Sequence, residues 1–176
     1  MKYLEKNILR LARLYESKYV NKTVIDNLIK TIDKGVGNLD YETNVKAQMT
    51  PFEYFNNNKY FLQFIKDITP EFEKEITNRL QISLKLKNAW GIKMKGKQDH
   101  IIEHNHDHST NTISGILYLT NNGPGTYFTE LDHRVNESKG KFVLFNSFLM
   151  HSVEQSYLKT NRYTLAFNFE EHEEWK

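Results

Sequence analysis

The sequence predicts an α+β fold in which a mostly helical first part, residues 1–80, precedes a β-sheet core over residues 81–170. Apolar residues recur at helical spacing in the first part, whereas from Ile82 onward they alternate with polar residues, as in half-buried strands. Short strands at even spacing favour a sandwich or barrel over β-α-β units. The 176 residues predict a single domain, 1–176, that ends in an acidic tail, 171–176.

The helical part contains three predicted helix starts. A helix predicted over 23–34 repeats apolar residues at every third or fourth position behind a capping Asn21 or Thr23. Thr50-Pro51 is typical of a second helix start, because Pro is favoured at the first helical position, and three consecutive asparagines shortly afterwards are expected to break that helix. Thr69-Pro70 predicts a third start.

The strand candidates begin with one long or two short strands over 82–94. The others, bounded by glycine or asparagine turns, are 100–108, 112–119, 125–129, 141–146 and 162–169. Their apolar side chains are expected to form the core, and seven are singled out: Trp90, Ile92, Ile116, Leu144, Phe145, Leu165 and Phe167.

Composition excludes several classes of protein. Hydrophobic residues make up 39% of the chain and aromatic residues 13%, which is enough to fill a core and argues against disorder. No cysteine is present, which excludes a disulfide scaffold, a zinc finger and a thiol nucleophile. The net charge is only +2 and the basic residues are scattered, so a nucleic-acid partner is not expected. Without a long apolar run, neither a membrane span nor a secretory signal is expected, and the cytoplasm is the predicted location.

A group of histidines is the candidate functional feature. His104, His106 and His108 alternate with polar residues, so in an extended segment they share one face, with neighbours roughly 6.5 Å apart along the strand. Two of them could bind one cation, and a further ligand must then come from elsewhere. The remaining histidine beside a strand pattern is His151. A lone His-x-His is more often exposed polar surface, but this one lies between apolar strands.

Around these histidines the sequence resembles a family of Fe(II)- and 2-oxoglutarate-dependent oxygenases common in marine bacteria and their phages. The matching pieces, in order, are Trp90-Gly91-Ile92, the His-x-His, Ser-Gly-Ile-Leu-Tyr-Leu at 114–119, the stretch 140–153 that contains His151, and Arg-Tyr-Thr-Leu-Ala-Phe-Asn-Phe at 162–169. The resemblance covers about half of the chain. It implies a double-stranded β-helix (a jelly-roll, cupin-like barrel) with the N-terminal helices packed outside it, and a cytoplasmic location, in the host if the protein is viral.

The resemblance also implies a metal site at the open end of the barrel. The wider superfamily binds Fe(II) through His-x-Asp and a distal His, but this chain has no His-x-Asp, so His would replace the acid. An ungapped alignment to Ser114-Gly115 favours His106 and His108 with His151 as ligands, whereas the alternative register uses His104 with His106.

The same resemblance implies a site for 2-oxoglutarate. Arg162 follows His151 at nearly the interval of the superfamily's carboxylate-binding residue, and a guanidinium can grip a carboxylate with two parallel hydrogen bonds. Tyr118 would stand near the same carboxylate. The predicted function is a dioxygenase that uses Fe(II), 2-oxoglutarate and O₂ and hydroxylates its substrate. The alternatives are a three-His cupin-type enzyme that does not use 2-oxoglutarate and a non-catalytic binding module on the same barrel. The primary substrate is not predicted.

Overall fold

The structure is a computed structural model. It describes residues 2–7, 11–37, 39, 41–74, 83–106, 111–121, 123–155 and 160–171, with the backbone alone at 2–7 and at 111. Its elements in chain order are β1 (Lys2–Asn7), β2 (Leu11–Lys18), α1 (Lys22–Gly35), β3 (Val45–Lys46), β4 (Gln48–Met49), α2 (Lys59–Phe72), β5 (Leu84–Met94), β6 (His100–His104), β7 (Asn111–Tyr118), β8 (Thr126–Phe128), β9 (His133–Val135), β10 (Lys141–Asn146), β11 (His151–Val153) and β12 (Arg162–Glu171).

Two antiparallel sheets form the core. The seven-stranded sheet has the order β1-β2-β10-β7-β12-β5-β4, and the five-stranded sheet has the order β3-β6-β11-β8-β9. From β5 to β12 the chain passes back and forth between the two sheets, which is the connectivity of a jelly roll. The sequence prediction of a sandwich or barrel of short strands, in preference to β-α-β units, in the second part of the chain is therefore confirmed.

The first part is less helical than predicted, because β1 and β2 belong to the seven-stranded sheet. Strand β2 pairs with β10, more than 120 residues away, with Leu14 opposite Phe145. Such pairing is long-range and leaves no helical or alternating signature in the short segment itself. The prediction of a mostly helical 1–80 was wrong at its N-terminal end.

The helix predicted over 23–34 is α1, and Asn21 caps it by accepting the Val24 N–H. The other two predicted starts were wrong. Residues 52–57 form turns, and α2 begins after Asn58, whose side chain accepts the N–H groups of Tyr60 and Phe61. The helix continues through Pro70 because one apolar stripe spans its whole length. That stripe consists of Phe61, Phe64, Ile68 and Phe72.

Both helices pack against the seven-stranded sheet. The rings of Phe64 and Phe142 lie 5.7 Å apart between α2 and β10, edge to face. Helix α1 approaches β5 at Gly91, where an added Cβ would lie 2.4 Å from Ile32. No helix in the described part of the chain is long and apolar enough to cross a membrane. Of the predicted tail, Glu171 ends β12, and 172–176 lie outside the described residues.

Candidate metal centre

Three histidines meet at one end of the five-stranded sheet, and we call them the histidine cluster: His104, His106 and His151. His104 ends β6 and is the direct antiparallel partner of His151, the first residue of β11. One potential ligand atom from each of the three residues lies within 4.8 Å of the other two. Two imidazole nitrogens that bind one ion at about 2.1 Å on adjacent positions lie roughly 3.0–3.4 Å apart, so the rings must move closer together to hold a single cation.

Backbone carbonyls orient two of these rings. The Nδ1 of His104 lies 2.7 Å from the carbonyl oxygen of Ile102, and the Nδ1 of His151 lies 3.0 Å from that of Leu149. A carbonyl can only accept, so both Nδ1 atoms carry the hydrogen, which leaves the Nε2 lone pairs for a metal. The backbone N–H of His106 donates to the carbonyl of Ser147 at 2.8 Å, which ties the end of β6 to the turn before β11.

The histidine cluster favours uncharged imidazoles. Burial lowers the pKa of His151 well below its usual range, and the nearby His104 and His106 lower it further. Burial also lowers the pKa of His104. A metal binds the unprotonated ring, so these two side chains are in the form that a cation requires at neutral pH.

The predicted strand 100–108 ends at His104, and the chain bends at His106. The alternation that would place three histidines on one strand face therefore stops after the first of them. The structure brings together His104, His106 and His151. This is the ligand set of the alternative register, in which His104 and His106 form the first pair. His108 lies outside the described residues, so the choice of ligands remains a prediction.

A cavity between the two sheets contains the histidine cluster. Its wall is mostly apolar and includes five of the seven predicted core side chains, Trp90, Ile92, Ile116, Phe145 and Phe167, together with Arg162. The other two, Leu144 and Leu165, are fully buried. The cavity thus joins three potential metal ligands to the cationic side chain of Arg162 within a largely apolar enclosure.

Arg162, the first residue of β12, is the cation in this wall, and its side chain is only 1% exposed. Its Nε donates to the Oε1 of Glu137, its Nη2 forms an ion pair with the same oxygen, and its Nη1 lies 2.9 Å from the Sδ of Met94. Burial raises the pKa of Glu137, and the adjacent guanidinium opposes this. Sequence reasoning missed Glu137, which lies between β9 and β10 in a segment without an apolar pattern.

Tyr118 is fully buried at the end of β7. Its hydroxyl donates to the Thr126 hydroxyl at 2.7 Å, and Thr126 lines the cavity. Burial raises the pKa of the phenol, and the charges of Glu137 and Arg162 are near enough to act on it. Tyr118 lies opposite Thr164 of β12, two residues along that strand from Arg162.

No protein-family model and no curated protein matches the sequence. Several solved structures have a fold similar to that of this chain. A prolyl-4-hydroxylase from Pseudomonas putida is 16% identical, with a TM-score of 0.70, and the match covers 91% of this chain and 93% of that one. The viral collagen prolyl hydroxylase of Paramecium bursaria Chlorella virus-1, in its 2-oxoglutarate complex, is 14% identical, with a TM-score of 0.65 and coverage of 89% and 94%. HygX from Streptomyces hygroscopicus, with nickel and 2-oxoglutarate bound, is 10% identical, with a TM-score of 0.67 and coverage of 89% and 82%. At these identities the likeness shows that this chain shares their fold.

Proposed function

We propose that this protein is an Fe(II)- and 2-oxoglutarate-dependent dioxygenase that hydroxylates a further substrate. The observation that carries the proposal is the location of the histidine cluster and buried Arg162 in one cavity. The fold supports it, because two of the similar structures are 2-oxoglutarate complexes. On this proposal the barrel is a double-stranded β-helix with the N-terminal helices outside it.

The donor set of the histidine cluster fits a transition metal. Imidazole nitrogen suits iron, nickel, copper and zinc, and a facial set of three protein ligands leaves positions open for a co-substrate and O₂. His104, His106 and His151 would hold the ion as neutral ligands. A site of three neutral ligands keeps the full charge of the ion, which favours an anionic co-substrate next to it.

The remaining residues suit 2-oxoglutarate. Arg162 would bind the distal carboxylate, and Tyr118 would support it through the hydroxyl pair with Thr126. The apolar wall excludes water, which strengthens every charge interaction within the cavity. With metal, 2-oxoglutarate and O₂ bound, the chemistry supplied is oxidative decarboxylation to succinate and CO₂, coupled to oxidation of the substrate.

The test is an anaerobic titration of the protein with Fe(II) and then 2-oxoglutarate, followed by the metal-to-ligand charge-transfer band. We expect one Fe(II) per chain and a saturable band on adding 2-oxoglutarate. His104→Ala should lose stoichiometric iron, whereas His108→Ala should retain it. The opposite result would assign the first pair of ligands to His106 and His108, and equal small effects would indicate a surface patch without a built metal site.

The alternatives give different results in the same titration. A three-His cupin would bind iron without a 2-oxoglutarate band, and Arg162→Ala would leave its metal chemistry unchanged. A non-catalytic module would show no stoichiometric metal. Arg162 is the discriminating residue, because 2-oxoglutarate needs a cation for its distal carboxylate, whereas without a dicarboxylate Arg162 serves only its pair with Glu137.

A further inference from the structure

Each of the three guanidinium nitrogens of Arg162 already contacts another side chain. A guanidinium can grip a carboxylate along its Nε–Nη side edge or along its Nη1–Nη2 end edge. On the side edge, Nε donates to the Oε1 of Glu137 and Nη2 pairs with the same oxygen, and on the end edge Nη1 contacts the Met94 sulfur. A second carboxylate therefore meets a guanidinium whose charge is matched and whose two edges are both in contact with protein.

The pair formed by Arg162 and Glu137 is dry and closely enclosed. Both side chains are 1% exposed. Gly123 packs directly against the pair, since a Cβ added there would lie 2.2 Å from the Glu137 carboxylate and 2.5 Å from the Arg162 Nε. Charge interactions in such a site are much stronger than at the surface, both the attraction within the pair and the repulsion of another anion.

We propose that Glu137 sets the affinity of the site for dicarboxylic 2-oxo acids, because its pair with Arg162 must open before the distal carboxylate can be gripped. This inference rests on the proposed function. In the resting protein Glu137 supplies the carboxylate that 2-oxoglutarate supplies in the complex. Glu137 is thus a specificity-determining residue that acts through Arg162, and the histidine cluster does not require it.

The pair can open in two ways, and both oppose binding. Glu137 can swing away from Arg162, which costs the charge pair. It can instead take up a proton, a change favoured by the burial that raises its pKa, and release the guanidinium as a neutral acid. Either route costs free energy that the binding of 2-oxoglutarate must supply, so removing the charge of Glu137 should tighten binding.

The experiment compares wild type with Glu137→Gln, which keeps the size and an acceptor oxygen but not the charge. Each is loaded anaerobically with Fe(II) and titrated with 2-oxoglutarate and with 2-oxobutyrate, which has the same 2-oxo acid head without the distal carboxylate. We expect the Kd for 2-oxoglutarate to fall by about tenfold or more in Glu137→Gln, since close charge pairs couple by about 1.5 kcal/mol upward. The Kd for 2-oxobutyrate should not change.

Two further variants serve as controls. Glu154→Gln makes the same change in the exposed pair with Arg134, where Glu154 is 66% exposed, and should leave both constants as in wild type. Glu137→Ala removes the carboxylate without placing an amide in the dry site, and decides the question if the Gln variant does not fold.

Three outcomes would overturn the inference, and they show whether the proposed function fails with it. If wild type forms the 2-oxoglutarate band and loss of the Glu137 charge weakens binding or leaves it unchanged, Glu137 positions Arg162 and does not compete, which overturns the inference alone. If wild type and both Glu137 variants bind Fe(II) but none of them forms the band, the proposed function fails as well. A gain in affinity for both acids would indicate a general effect on the cavity and would also overturn the inference.

Discussion

Replacing Arg162 should show how strongly the stability of the protein depends on its buried pair with Glu137. Both side chains are 1% exposed, so Arg162→Met leaves a carboxylate buried without its partner. Breaking a buried pair in this way costs about 3–5 kcal/mol, and we expect that loss in the free energy of unfolding at pH 7. Replacing both partners by apolar residues, Arg162→Met with Glu137→Leu, should restore most of it, since no charge is left behind. The free energies of unfolding of wild type, the single variant and the double variant are measured by urea unfolding followed by circular dichroism. They are comparable if the three proteins have the same dependence on urea concentration, the m-value.

The pH dependence of this loss provides a further check. Burial raises the pKa of Glu137 in the folded protein, and loss of the guanidinium should raise it more. A raised acid pKa gives stability that is present at low pH and is lost as pH rises from the ordinary Glu value toward the folded one. The deficit of Arg162→Met should therefore be smaller at pH 5 than at pH 7.

The control is Arg134→Met, which breaks the exposed pair with Glu154 and the hydrogen bond from Nη1 to the Pro124 carbonyl. An exposed pair contributes about 0–1 kcal/mol and a hydrogen bond about 0.5–1.5 kcal/mol, so this change should cost clearly less than Arg162→Met. If Arg162→Met costs no more than Arg134→Met, the Arg162–Glu137 pair is solvated in solution and the reasoning from burial is refuted.

Three other expectations concern the histidine cluster and one turn. His151→Ala should abolish stoichiometric Fe(II) binding while the circular dichroism spectrum stays unchanged; full metal content would remove His151 from the ligand set. The metal-free protein should lose stability as pH falls below about 6.5, because the unfolded chain takes up protons that buried His151 and His104 resist. Urea unfolding at pH 5.5 and 7.5 checks this, and an equal slope in His151→Ala would contradict it. Gly140→Ala should cost about 2 kcal/mol or more, since φ is +83° and a Cβ would lie 2.0 Å from the Tyr19 carbonyl oxygen; a thermal melt like that of wild type would show that the turn adapts.

The pattern of capping and apolar residues along the chain predicted those elements that the same residues stabilise. Helix α1 has its own cap and apolar stripe, and β12 is an apolar run that lies beside β5 and β7 in the sheet. The sequence failed where a tertiary contact outweighs local preference. Strand β2 depends on β10 for its pairing, and α2 passes through Pro70 because its apolar stripe is buried on both sides of that residue.

For the candidate site, too, the sequence determined one part and the tertiary structure the other. The sequence by itself determined which residue types were available: no cysteine, a histidine-rich segment, a distant His151, and Arg162 at the start of an apolar strand. Only the tertiary structure decided that His104 faces His151 across two strands and that Glu137 pairs with Arg162 across 25 residues of chain. The physical reason is that metal-ligand geometry and buried charge pairing depend on distances between side chains on different strands. Sheet register and the enclosure of the cavity set those distances, and neither is encoded in the spacing of residues along the chain.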